Sequence, residues 1–354
     1  MRRTATRDLV RSPVTQIRMA EMQTSLTQNV TPITLDGEAV CAGFFGRTPV
    51  FALANGEAVI AQIGAVRRVR LHGENAAVLT AQCHHGRLVS GGDDGRVMEL
   101  RPDGSVKMLA DEKGKWIDAL ALRDDGATAW TVAKIVSARD ARGEVKSFTA
   151  PSGVRGLCFM PKGYRLALAH YNGVSLWFPN TAAEPEGLVW RGSHLDVTIS
   201  PDGKFAVTAM QENALHGWRI ADRKDMRMTG YPSKTRSFSW SQDGKWLATS
   251  GAEACIIWPF DGKDGPMGRG PRECGVRSAK VTRVAFHPRA LVLAAGYDDG
   301  WVMLCRISDG SELLVRKPEA EKAGAISALA WSDDGAKLAF GAEDGVAGLL
   351  DLPA

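Results

Sequence analysis

The feature that most constrains this chain is a repeat. Three stretches align with one another: VTRVAFHPRALVLAAGYDDGWVMLCRI (281–307), ISALAWSDDGAKLAFGAEDGVAGLLDL (326–352) and TRSFSWSQDGKWLATSGAEACIIWPF (235–260). Each reads as a short alternating strand, a polar turn, a second strand, a tight turn and a third strand. Apolar residues at every second position, punctuated by Gly and Asp, mark strands and hairpins rather than helices. The same pattern can be laid down with first strands starting near Glu38, Ala76, Trp116, Val154, His194, Thr235, Val281 and Ile326. Successive starts lie about 37–46 residues apart, the period of four-stranded units set around a ring.

Most repeats also offer a fourth strand, as in SVKMLA (105–110), EVKSFTA (144–150) and ELLVRKP (312–318). The last repeat has none, because the sequence stops at Ala354. A lone strand-like segment before the first repeat, SLTQNVTPITL (25–35), can pair with 346–352 and supply it. That pairing removes an open sheet edge and closes the ring. The expected fold is all-β: a closed β-propeller of four-stranded antiparallel blades with the N-terminal strand completing the last blade. Eight blades are expected. Seven is the alternative, since the repeats at 44–64 and 116–150 are the weakest.

Over about residues 25–352 the sequence resembles the WD40 family. The resemblance rests on SPDGKFAVTAMQENALHGWRI (200–220), SQDGKWLATSGAEACIIWPF (241–260) and the Asp-Asp-Gly turns at 93–95 and 298–300. The family's terminal Trp falls on Trp177, Trp218 and Trp258, and elsewhere the position holds Leu100, Cys305 or Leu350. The family's Gly-His before the first strand is mostly missing, and with it the basis for the usual His–Ser–Asp–Trp hydrogen-bond set. The resemblance implies a non-catalytic interaction scaffold without cofactor. It also implies that partners dock at the ring mouth, on the turns between second and third strands and the loops leading into first strands.

Composition narrows the classes further. The net charge is +4, from 44 Lys and Arg against 40 Asp and Glu, which argues against a dedicated nucleic-acid binder. No apolar run is long enough to span a membrane. Six cysteines (Cys41, Cys83, Cys158, Cys255, Cys274 and Cys305) are scattered without a CxxC pair. They read as buried free thiols in a reducing, cytoplasmic setting. Residues 1–23 are basic, with Arg2, Arg3, Arg7, Arg11 and Arg18, and read as a disordered tail ahead of one domain at 24–354.

The implied docking face carries acidic turns, among them Asp94, Asp299 and Asp344, beside basic loops. Arg and aromatic residues dominate interface energetics, so Trp116, Arg155, His194, Arg236, Arg283, Tyr297 and Trp301 are the candidate partner-binding residues. The expected partners are one or more proteins, met by a chain that is monomeric on its own. Nucleic-acid binding through the basic loops is a competing reading. A propeller enzyme or a metal-homeostasis accessory protein is another. Cys83-His84-His85 contains three metal-ligand types, but adjacent strand residues point to opposite faces and converge only at a turn. Ser193, His194 and Asp196 hold the ingredients of a hydrolytic triad without its spacing. The Gly-rich segment 260–274 reads as a long surface loop.

Overall fold

The computed structural model describes residues 24–62, 64–319 and 323–353; the basic tail expected at 1–23 lies outside them. Apart from one 3-10 turn, Thr27–Asn29, every described element is a β-strand. Strand pairing gives seven sheets, six of four strands and one of six. Each repeat places its strands in sequence order from the ring's inside to its outside, and neighbours are antiparallel. Inner strands of neighbouring sheets contact one another, as Ala39–Phe45 does with Val78–His84 on one side and Ile326–Trp331 on the other. Outer strands such as Ala65–Arg70 are mostly exposed.

The expectation of eight separate four-stranded sheets is corrected to seven sheets. The repeats starting at Val154 and His194 share one six-stranded sheet. One long strand, Glu186–Ile199, joins them. In Leu166–Trp177 the chain turns at Asn172 and Gly173, with φ of 68° and 140°, so 166–169 pair with Gly156–Phe159 while 173–176 pair with 186–189. Glu186–Ile199 then passes through a bulge, and its second half, 194–199, pairs with 206–210. One uninterrupted strand therefore serves both repeats.

Ring closure follows the expected route. Val30–Thr34 pairs antiparallel with the last strand, from Val30 opposite Leu350 to Thr34 opposite Val346. A second anchor was not foreseen. The Leu26 amide donates to the Leu314 carbonyl at 2.7 Å, and the Leu314 amide donates to the Thr24 carbonyl at 3.0 Å. The N-terminal segment thus fastens two sheets at once. Apolar clusters fill the spaces between sheets: Leu35, Phe51 and Leu53 pack with Ala339, Ala347 and Leu349 across the closure. Trp177, Trp218 and Trp258 are all buried, as the repeat register requires.

Antiparallel alternation fixes which loops share a face. The turns between second and third strands lie at the same end of each sheet as the loops leading into the next first strand. The other two kinds of turn lie at the opposite end.

Candidate docking face

At the ring's centre, on the face that carries the inbound loops, is a cavity of about 540 Å³. Its wall comes from the inner strands and their leading loops, and includes Arg155, Asp118, Asp196, Lys234, Arg236 and Arg283. A second cavity of about 330 Å³ shares Lys234 and Arg236 and adds Lys280 and Asp298. Sequence reasoning therefore named three cavity residues, Arg155, Arg236 and Arg283, which lie far apart in the chain in three separate repeats. It did not single out Lys234 or Lys280 as anchors.

The charges here are unevenly matched. Among the described residues, Lys234, Arg236, Lys280 and Arg283 take part in no ion pair within 4 Å, whereas Arg155 meets Asp118 at 3.4 Å. Arg283 is half-buried and tied to backbone: its Nε donates to the Ser327 carbonyl at 2.7 Å and a guanidinium nitrogen to the Thr282 carbonyl at 3.1 Å. Burial first, and then the like charge of Arg236, lower its pKa. Burial pushes the Asp196 carboxyl up to about 6, against a 2.8 Å hydrogen bond from the Val197 amide. A site of this kind attracts negative charge, because cations gathered at a concave, partly desolvated wall reinforce one another's field.

Apolar side chains complete the face. The four most exposed large apolar residues described are Val189 (76 %), Val276 (65 %), Trp116 (64 %) and Tyr171 (55 %). Trp116 and Val276 lie in loops leading into first strands. Tyr171 adjoins a turn between second and third strands, and Val189 lies opposite Gly173 at the same end of its sheet. All four are on the docking face.

Two candidates are corrected. His194 is fully buried: Nε2 donates to the Trp190 carbonyl at 3.0 Å and Nδ1 meets the Thr208 hydroxyl at 2.7 Å. Burial lowers its pKa, so the ring is neutral and serves the core. Its nitrogens are committed away from Ser193 and Asp196, and the triad ingredients do not assemble. Tyr297 is also fully buried, its hydroxyl donating to the Gly275 carbonyl at 2.5 Å. Trp301 is half-buried beneath Arg277, whose guanidinium sits 3.7 Å from the ring centroid while pairing with Asp299 at 2.6 Å. The 260–274 loop is on the opposite face, anchored where Asp264 meets Arg219 at 2.7 Å and Lys224 at 3.0 Å.

The Cys83-His84-His85 segment does reach a turn. His85 has φ 46° and Gly86 φ 71°, so the two imidazoles lie together, ring centroids 4.1 Å apart. Cys83 points instead between sheets, its thiol 3.7 Å from the Phe44 carbonyl.

No protein-family profile matches the chain, and no curated protein matches its sequence. Solved structures do match its shape. The computationally designed Ika8 protein superimposes with a TM-score of 0.73 at 18% identity, over 90% of this chain and 98% of that one. The C-terminal WD40 domain of Sif2 superimposes with a TM-score of 0.71 at 13% identity, over 91% of this chain and 97% of that one. At such identities the likeness speaks for the fold alone, and together with the ring of sheets it makes the chain a β-propeller similar in shape to a WD40 domain.

Proposed function

We propose that this protein is a non-catalytic cytoplasmic scaffold that captures a partner protein on the face carrying the inbound loops, through an acidic segment of that partner flanked by apolar anchors. The observation that carries the reading is a coincidence of place. Among the described residues, the four most exposed large apolar side chains share one face with Lys234, Arg236, Lys280 and Arg283, which have no ion-pair partner there. Exposed aromatic and apolar groups around a concave charged centre are the ingredients of an interface core. The charged wall supplies orientation and encounter rate.

The test uses Lys234→Glu combined with Arg236→Glu. Arg283 stays wild type, because its bond to Ser327 gives it a part in packing. Wild type and variant, shown to melt alike, are immobilised and exposed to extract of the native cell. Loss of a charged contact desolvated by the partner costs about 2–5 kcal/mol, so the variant should lose a protein that wild type retains. The wild-type capture should weaken with added salt. Identical captured proteins would remove the site from this face. Recovery of nucleic acid with a steep salt dependence would favour the nucleic-acid reading.

A further inference from the structure

We propose that His84, His85 and Asp124 form a binding site for a divalent transition-metal ion, zinc in the first instance, on the face opposite the docking surface. The two histidines close the turn between the first and second strands of one sheet, and Asp124 sits in the equivalent turn of the next sheet. His84 Nε2 lies 2.6 Å from Asp124 Oδ1 and His85 Nε2 lies 3.4 Å from the same oxygen. One ligand atom from each of the three residues falls within 4.8 Å of the others.

The spacing fits a metal. Zinc held at bonds of about 2.0–2.1 Å in tetrahedral geometry separates its ligand atoms by about 3.4 Å. The His85–Asp124 separation already has that value. The His84–Asp124 hydrogen bond must widen by less than about 1 Å, which these exposed side chains permit by rotation. Two imidazoles and one carboxylate favour zinc, nickel or copper over magnesium or calcium. The neighbouring cation does not compete, since Arg123 pairs with Asp125 at 3.5 Å and lies over the Tyr164 ring at 5.5 Å. Three protein ligands leave a coordination position for water. The backbone supplies the essential step: the left-handed φ at His85 brings together two adjacent side chains that a continuing strand would hold on opposite faces.

The experiment titrates chelator-treated full-length protein with Zn²⁺ by calorimetry and with Co²⁺ by visible absorption. The expected result is one ion per chain, with no thiolate-to-cobalt charge-transfer band. His84→Ala, His85→Asn and Asp124→Asn should each weaken binding by about 10-fold or more. Asn is chosen at position 85 because it tolerates the left-handed backbone. Cys83→Ser should leave affinity unchanged. Acidification should release the ion, because protonated imidazole is no ligand. Unaltered affinity in the His84→Ala, His85→Asn double variant would overturn the proposal. So would a thiolate band, or failure of wild type to bind zinc at millimolar concentration.

Discussion

Tyr231 shows what a single residue does in a degenerate repeat. Its hydroxyl accepts from the Trp258 indole at 2.7 Å and meets the Thr249 hydroxyl at 2.6 Å, all in the core. His72 acts comparably in another sheet, with Nε2 2.8 Å from the Ser90 hydroxyl and Nδ1 3.0 Å from Asp94. A search for Gly-His misses both, because His72 precedes its glycine and Tyr231 is not a histidine. Tyr231→Phe keeps the volume and strands the Trp258 donor, so it should cost about 1–3 kcal/mol, read from denaturant unfolding. A change within error would show that the indole finds another acceptor. Asp196 supports a second prediction. Its folded pKa of about 6 exceeds the ordinary carboxyl value of about 3.9, so between those pH values the folded state holds a proton that the unfolded state has lost. Its contribution is therefore greatest below about pH 4, declines as pH rises to about 6 and is flat above. The wild-type minus Asp196→Asn difference in urea midpoint should fall over that window. A difference independent of pH would place the Asp196 carboxyl in an ordinary solvated state. The misplaced candidates His194 and Tyr297 illustrate the limit at this scale. A repeat register places the Cα of a residue near a mouth, but whether its side chain turns outward depends on partners such as Thr208 and Gly275, which the register does not reveal.

At the level of elements the sequence was far more legible. Predicted first-strand starts at Glu38, Ala76, Val281 and Ile326 compare with observed starts at Ala39, Val78, Val281 and Ile326. Period-two alternation and Asp-Gly turns report local geometry directly, which is why they succeed. The six-stranded sheet was not legible. Whether 186–189 and 194–199 belong to one strand or two depends on hydrogen bonding through Arg191–Ser193, and Tyr171 pairs with Ser193 from across the sheet. Glycine positions carry a further message that becomes readable only with the neighbouring sheet in place. A Cβ on Gly296 would come within 2.4 Å of Ile326, and one on Gly91 within 2.4 Å of Ile117. In both cases the glycine lies on a second strand and admits an apolar residue at or just before the next first strand. Close sheet-to-sheet packing, rather than a turn, is the reason for these two glycines. The His84–His85–Asp124 cluster belongs to the same class of information, since Asp124 arrives from the adjacent sheet.

For the whole molecule, the docking face exists only while the ring is closed. Arg155, the pair Lys234 and Arg236, and the pair Lys280 and Arg283 come from three different repeats, and no sheet carries the basic cluster alone. Closure depends on the segment 24–35, which pairs with the last strand and with Leu314 of the preceding sheet. It also buries Leu26 and Leu35 between sheets. Removing residues 1–35 would expose the ladder edge of Val346–Asp351 together with the apolar surface at Ala347 and Leu349. An open edge beside apolar surface templates pairing with other chains. Stability in such a ring is carried between neighbouring units, so losing one junction frees the sheets on both sides of it. The truncated protein should therefore unfold with a broadened transition or aggregate, as followed by calorimetry and light scattering. A synthetic peptide spanning 24–35, added in excess, should restore a sharp transition by occupying the vacant strand position. Full cooperativity in the truncated protein without the peptide would mean that packing between the other sheets closes the ring unaided, and that the N-terminal strand decorates the last sheet instead of holding it.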